Sequence, residues 1–383
     1  MSRRRHPVVA LVSDAVYPYH RGGKELRYYE LTRRLAARAE VHVHTMHWWS
    51  GPRVRVDGGV TYHAISRLLP LYSHSRRSYR QALIFAIACL RLLGARFDVL
   101  EADHIPYFQI LVLRLVATVR RKRFVVTWHE VWGQSYWREY LGPAGFAAWF
   151  IEWLAMRLPD HIVAASPQTA EKLRIVLGRR ASITTAPNGI DLDAARVARP
   201  DGAATDFVVV SRLIAHKRVD MLLDAMAILK AEGTPVTCRV IGDGPEKAAL
   251  HAQAQALSVS HAVDFRHEVH RQEDVFALVK AATAFVFPSA REGFGIAVLE
   301  ALACGVPVIT TSAPDNLAQH LAARSSRGVI CDPSASGLAK AMRSLLADAG
   351  SAHGPGWTGA EDSWLAEYSW DATADQVARA FQI

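Results

Sequence analysis

Short β-branched runs alternate with helix-patterned stretches along this chain, and the alternation occurs twice. In the first half the runs are PVVALVS (7–13), EVHVHTM (40–46), FDVLEAD (97–103), RFVVTWHE (123–130), DHIVAAS (160–166) and ASITTAPNG (181–189). Between the first two lies GKELRYYELTRRLAARA (23–39), where Leu26, Tyr29 or Glu30, Leu31 and Leu35 fall near one helical face. Buried strands separated by helices of this length make βα units and a parallel sheet.

The pattern lapses at DLDAARVARPDGAATD (191–206), which carries no strand signal, and then restarts with FVVVSRL. VDMLLDAMAILKAEG, TCRVIGDGP, AVDFRHEV, EDVFALVKAA, TAFVFPS and VPVITT follow. Two successive series of similar size predict two doubly wound α/β domains. The length of 383 residues agrees, being too great for one ordinary core. Further on, SAHGPGWTGAED (351–362) reads as a loop and YSWDATADQVARAFQI (368–383) as a helix.

Composition excludes several classes. With 50% hydrophobic and 21% charged residues the chain is not disordered. Cys89, Cys238, Cys304 and Cys331 form no CxxC pair, so they read as small buried residues in a reducing cytosol. MSRRRHPVVALVSD is a basic leader and a first strand, not a signal peptide. ALIFAIACL (82–90) is far shorter than the roughly 20 apolar residues of a spanning helix. Residues 1–195 hold 28 Lys and Arg against 15 Asp and Glu, net +13, while the remainder holds 17 against 21, net −4. A basic first half fits an anionic partner or a solvated basic surface. No nucleic-acid signature accompanies it, so nucleic acid is not expected.

Ligands of open α/β sheets bind beyond the carboxyl ends of strands, so the strand-to-helix turns carry the candidates. In SRLIAHKRVD, Arg212 and Lys217 flank a turn into a helix, an arrangement that suits a diphosphate or is a pair of solvated cations. VIGDGPE places Gly242 and Gly244 around Asp243, with Pro245 where a helix would start. SAREGFGIAVLEALACG sets Glu292 before Gly293, Phe294 and Gly295, and Glu300 just over one turn into the next helix. Two such carboxylates accept from vicinal hydroxyls; equally, Glu292 caps the helix and Glu300 is solvated. Gly305 is the expected C-cap. In the first half, Gly22 and Gly23 fit a backbone nest or a plain surface loop, and His129 at a strand end fits a site or a structural role.

Taken in order, these motifs resemble retaining glycosyltransferase family 4. FPS followed by the Glu292/Glu300 pair in EGFGIAVLEALACGVPVI resembles that family's Glu-x7-Glu signature. SRLIAHKRVDMLLDA, VIGDGPE, APNGID, RGGKE and SWD also match, from near residue 13 to residue 371. The resemblance implies the GT-B fold, two Rossmann-like doubly wound domains facing a cleft. Its divisions would be 1–195 for the acceptor, 203–365 for the sugar nucleotide, and 366–383 as a helix crossing back to the first domain.

It further implies a hexose-type sugar moved, with retention, from a nucleoside-diphosphate sugar to an acceptor hydroxyl in glycolipid, polysaccharide or other glycoconjugate synthesis. No metal or cofactor is expected. Arg212 and Lys217 would hold the diphosphate, Glu292 the sugar hydroxyls beside the Gly293, Phe294 and Gly295 amides, and Glu300 the ribose. His267 and Val269 would lie beside the base pocket, Gly22 and Gly23 would approach the donor phosphate, and His129 would stand near the reacting sugar. The chain departs from the family at Ser211 and Arg218, where glycines are common, at His267, and at SAPDN (312–316), where a Gly-Gly pair is frequent. A sugar-nucleotide epimerase and a donor-binding protein without transfer are the alternatives.

The acceptor side is read from YSHSRRSYRQALIFAIACLRLL, YFQILVLRLVATVRRKR and FAAWFIEWLAMRL, apolar and aromatic helices with basic edges that include Arg76, Arg77 and Arg80. With the +13 charge they suggest a cytoplasmic enzyme, peripheral on an anionic membrane face, acting on a lipid-linked or polysaccharide-precursor acceptor.

Overall fold

The computed structural model describes residues 6–20, 22–73, 76–178, 181–269, 271–352 and 360–383. The basic leader 1–5, Arg21 of RGGKE and the core of the SAHGPGWTGAED loop at 353–359 lie outside them. Contacts divide the chain into two units, Met1–Gly189 with Trp370–Ile383, and Ile190–Ser369. The sequence placed its divisions at 195/203 and 365/366; the structural ones fall at 189/190 and 369/370.

In the first unit the strands are β1 (Val8–Val12), β2 (Glu40–Met46), β3 (Val54–Asp57), β4 (Val60–Ser66), β5 (Val99–Asp103), β6 (Arg123–Trp128), β7 (His161–Ala164) and β8 (Ile183–Thr185). Their order across the sheet is β8-β7-β6-β5-β1-β2-β4-β3. All pairs are parallel except β3–β4. That hairpin was missed in the sequence. Its signal was Asp57-Gly58-Gly59 between alternating β-branched residues, and both glycines take positive φ, 56° and 79°, as a tight hairpin turn requires. One apolar cluster includes Phe85, Leu100, Phe124 and Trp128; another joins Tyr28 and Leu31 to Val377 and Phe381 of the helix Trp370–Phe381.

The helix Gly23–Leu35 keeps Leu31 and Leu35 on its inward face as expected, but not Leu26 or Tyr29. It buries Glu25, Arg27, Tyr28, Leu31, Thr32 and Leu35, whereas Leu26 and Tyr29 are only half-buried. Polar partners beneath it explain the difference. Arg27 donates to Pro187 O at 2.9 Å and Asn188 Oδ1 at 3.1 Å, and Tyr28 donates to Glu101 at 2.7 Å.

In the second unit β9 (Thr205–Val210), β10 (Cys238–Ile241), β11 (Val263–Arg266), β12 (Ala282–Phe287), β13 (Val308–Thr311) and β14 (Gly328–Cys331) form a parallel sheet ordered β11-β10-β9-β12-β13-β14. The stretch before β9 that carries no strand signal contains a helix, Leu192–Val197, capped by the Asp191 carboxylate on Ala194 N–H at 2.9 Å. The helix expected at Pro245 starts instead at Lys247. Gly305 has φ 77° just past the helix Ile296–Ala303; its N–H reaches Leu302 O and that of Val306 reaches Ala301 O, a Schellman ending. Ser351 and Ala352, read as loop, close the helix Ala335–Ala352.

Cys89, Cys238 and Cys304 are buried, Cys331 is half-buried, and all four are free thiols. No helix among the described residues is long and apolar enough to cross a membrane.

Candidate active site

Each sheet reverses its winding once. In the second unit β9 is followed outward by β10 and β11 on one side and by β12, β13 and β14 on the other. The crevice beyond the carboxyl ends of β9 and β12 is therefore the place where an open α/β sheet binds ligand. The candidate turns sit there.

After β9, Ala215–Lys217 forms a single 3-10 turn and Arg218 then enters the left-handed region, φ 53° and ψ 37°, to start the helix Val219–Ala231. This accounts for the glycine common at that position: a side chain there is strained by roughly 1–2 kcal/mol. After β12, Arg291–Glu292 forms a two-residue strand paired in parallel with Asp315–Asn316. Glu292 is thus fixed by backbone pairing, where the sequence suggested a loosened loop. Asn316 is seated in turn by donating to Thr310 Oγ1 at 2.9 Å and Thr311 O at 3.0 Å. Gly295 ends the loop with φ 96°, and a Cβ there would come within 2.5 Å of Ala318 Cβ.

Backbone bonds lock these turns together. Ala290 N–H donates to His216 O at 2.8 Å. Ser211 N–H donates to Ile241 O at 3.1 Å and Leu213 N–H to Asp243 O at 2.9 Å, joining VIGDGPE to the Arg212 turn. A Cβ on Gly242 would stand 1.9 Å from Ser211 O, so that glycine is required by turn packing.

The Lys217 ammonium is ion-paired with the Glu292 carboxylate and lies 5.2 Å from the Phe287 ring centroid. Burial pushes the Glu292 carboxyl up, but Lys217 outweighs it and holds it below the usual range. Phe294 N–H points to the other Glu292 oxygen at 3.5 Å. Arg212 is exposed on the same turn. Glu300 is half-buried, accepts from Gln272 Nε2 at 2.8 Å, and is pushed by burial up to about 8. His267 shares a hydrogen bond with Gly242 O at 2.7 Å, beside the same group of turns, and Val269 packs against the apolar cluster under the helix Ile296–Ala303.

In the first unit the winding reverses between β1 and β5. Beyond their carboxyl ends is a buried polar network that the sequence reading did not assemble. The Lys24 ammonium stands 2.7 Å from Asp103 Oδ2 and 3.1 Å from Asp14 Oδ1. Burial raises both carboxyls, but Lys24 and its neighbours outweigh it and hold both below the usual carboxylate range. Burial likewise lowers the Lys24 ammonium, and Asp103, Asp14 and Glu25 more than restore it. Its signal in the sequence was an acid at the end of each apolar strand, VSD and EAD.

Arg77 donates to Asp14 Oδ2 at 3.0 Å, so it belongs to this network rather than to a membrane edge; the side chain of Arg76 lies outside the described residues. His129 follows β6, with Nε2 3.9 Å from Asp103, and burial lowers it to about 3, so it is a neutral imidazole. Asp103, His104 and His129 bring ligand atoms within 4.8 Å of one another, but Lys24 already supplies the cation at Asp103. Gly22 is extended, φ −153°, and neither it nor Gly23 has positive φ, so the pair opens the helix Gly23–Leu35 and does not form a nest. A Cβ on Gly22 would meet Glu25 Oε2 at 2.5 Å.

Two family models match adjoining stretches of the chain: Glycosyltransferase Family 4 over residues 21–194 and Glycosyl transferases group 1 over residues 195–359. Among curated relatives, a glycogen synthase of Mycobacterium tuberculosis is 30% identical over 235 residues, 60% of this chain and 55% of its own length. A GDP-mannose-dependent alpha-(1-6)-phosphatidylinositol dimannoside mannosyltransferase of the same species is 30% identical over 171 residues, 42% of this chain and 43% of its own. The chain thus spans about half the length of these relatives, 55% and 43%. Among solved structures, Anabaena HepE in complex with UDP and glucose superposes with a TM-score of 0.73 at 18% identity, covering 98% of this chain and 100% of that one. At that identity the likeness is one of fold, and the fold is GT-B: two Rossmann-like α/β units.

Proposed function

The chain belongs to glycosyltransferase family 4, and from that premise we propose that it is a retaining transferase. It moves a hexose-type sugar from a nucleoside-diphosphate sugar to an acceptor hydroxyl. The observation that carries this reading is the Lys217–Glu292 pair at the winding reversal of the second sheet, with Arg212 on the same turn as Lys217.

The chemistry follows from where charge appears. As the glycosidic bond breaks, negative charge builds on the departing diphosphate and positive charge on the sugar ring. Lys217 and Arg212 answer the first, held in place before the reaction begins. Glu292 takes sugar hydroxyls. Glu300 meets the ribose hydroxyls. His267 and Val269 border the base. The acceptor attacks from the face the leaving group vacates, its proton passing to the departing phosphate, so no enzymic nucleophile is assigned. His129 serves as a neutral imidazole near the reacting sugar. No metal takes part; loss of turnover on chelation would overturn that point.

The acceptor is lipid-linked, or a precursor assembled at a membrane face. Support comes from the outward faces of two first-unit helices. Tyr79, Leu83 and Ile87 are 56%, 52% and 55% exposed on one helix, and Phe146 and Phe150 are 58% and 49% exposed on another. The phosphatidylinositol-mannoside relative agrees in kind.

The test is incubation with a panel of uridine and guanosine diphosphate sugars, with and without acceptors, read by mass spectrometry. Transfer with retained anomeric configuration is expected, with slow donor hydrolysis when acceptor is withheld. An isomerised donor would make the protein an epimerase, binding without turnover would make it a donor-binding protein, and a glycosyl adduct trapped on Glu292 would replace front-face attack.

A further inference from the structure

A cavity of about 490 Å³ opens on one face of the first sheet, among β1, β2, β4 and the segment Arg91–Arg96. Its lining runs from Val8 to His44, which pairs with Val12 of β1, and includes none of Asp14, Lys24 and Asp103, so it lies beneath the network beyond the strand ends without sharing its residues.

Three histidines floor it. His42 and His44 alternate on β2, and His63 on β4 is the direct cross-strand partner of His44. The His44 and His63 rings stack 4.8 Å apart at 14°, and His42 Nδ1 meets His63 Nε2 at 2.8 Å. His44 is 6% exposed, and its Nδ1 has no hydrogen-bond partner among the described residues. Alternate positions on a buried strand are ordinarily filled by Val or Ile; three imidazoles there forgo apolar burial and demand a polar reason.

The rim supplies charge. Arg53, Arg91 and Arg96 line the opening, and all three are exposed. Arg91 donates to Ile65 O, whereas the Arg53 guanidinium makes no hydrogen bond or ion pair among the described residues. Against them stands Glu40, 2.9 Å from His42 Nε2. Asp98, nearby, is committed to Val8 N–H at 3.0 Å and to Lys122 at 2.9 Å. Three guanidinium groups disfavour a metal ion on the imidazoles and favour an anion.

We propose that this cavity binds a small phosphate-bearing anion, clamped by Arg53 and Arg96 at the rim and hydrogen-bonded by the histidine stack at the floor. Burial lowers His44 to about 3 and lowers His63 as well, so both of these imidazoles are neutral in the empty cavity. An anion reverses the balance for at least one imidazole. Binding therefore draws a proton from solvent onto the stack and tightens as pH falls through the histidine range.

Inorganic phosphate added to protein with ¹⁵N-labelled histidine tests this, with His42→Gln, His44→Gln and His63→Gln variants assigning the resonances. The expected result is saturable shifts at those three positions, a raised midpoint for at least one of them, and proton uptake in calorimetry that differs between buffers. Affinity should fall about tenfold in the Arg53→Gln/Arg96→Gln variant, whose exposed positions leave the fold intact. Shifts confined to other histidines, such as His129 or His267, would mean that phosphate reads the donor site alone and would overturn the proposal. So would affinity unchanged by the double substitution.

Discussion

Lys217 and Glu292 hold each other across two different strand-to-helix turns, one after β9 and one after β12. Each group proposed to grip the donor is occupied by the other in the free protein. The pair keeps a half-buried lysine and a half-buried carboxylate satisfied until phosphate and hydroxyls replace them.

That exchange separates two substitutions. Glu292→Gln releases Lys217 for the diphosphate, so the nucleoside diphosphate product should bind as tightly as in the parent or tighter, while turnover falls about 10²–10³-fold. Lys217→Ala should weaken both. Calorimetry with the product nucleotide, set beside steady-state rates, reads the split; equal losses of nucleotide affinity in both variants would contradict it.

Glu300 should make stability fall as pH rises. Its folded value, about 8, lies above the ordinary 4.5. The stabilisation carried by the protonated form is fully present below 4.5 and is lost as pH climbs through 8. The slope is at most about 1.4 kcal/mol per pH unit, and less for a side chain that is only half-buried. Glu300→Gln should flatten that part of the curve in denaturant titrations across the window. Glu101, also pushed up by burial, to about 7, stays in both proteins and cancels in the difference.

Arg218 offers a backbone test. Arg218→Gly and Arg218→Ala both remove the contact with Asp220, which spans 3.1 Å. At φ 53° glycine should exceed alanine in stability by about 1 kcal/mol, the reverse of their order inside a helix. Paired thermal melts would show it.

The membrane reading predicts a surface effect without a folding effect. Phe146→Ser/Phe150→Ser and Leu83→Ser/Ile87→Ser each replace side chains that are about half exposed or more. Co-sedimentation with vesicles rich in anionic lipid should drop about tenfold while the melting temperature holds. Undiminished sedimentation would return these helices to solvent.

The strand series and its interruption were legible because parallel strands, buried on both faces, print as short apolar runs. The second-unit turns were legible for a related reason: polar residues directly after such runs have few other places to be. The hairpin β3–β4 escaped because one of its strands is largely exposed, with Val54 at 52% and Val56 at 70%, and so lacks the buried signature. Part of the inward face of the helix Gly23–Leu35 escaped because hydrophobic periodicity assumes apolar residues point inward. Here Arg27 and Glu25 do, Arg27 bonding Pro187 O 160 positions away and Glu25 pairing with His20. The Lys24–Asp14–Asp103 network joins residues up to 89 positions apart, and no spacing rule spans that distance.

The helix Trp370–Phe381 belongs to the first unit, yet it is translated after all of Ile190–Ser369. At roughly 5–20 residues per second, the cluster around Tyr28 and Leu31 waits about ten seconds or more on the ribosome for Val377 and Phe381. The second unit, being continuous, can finish first. The unit encoded first is thus the later to mature, and its open apolar face is the one a chaperone would meet during synthesis.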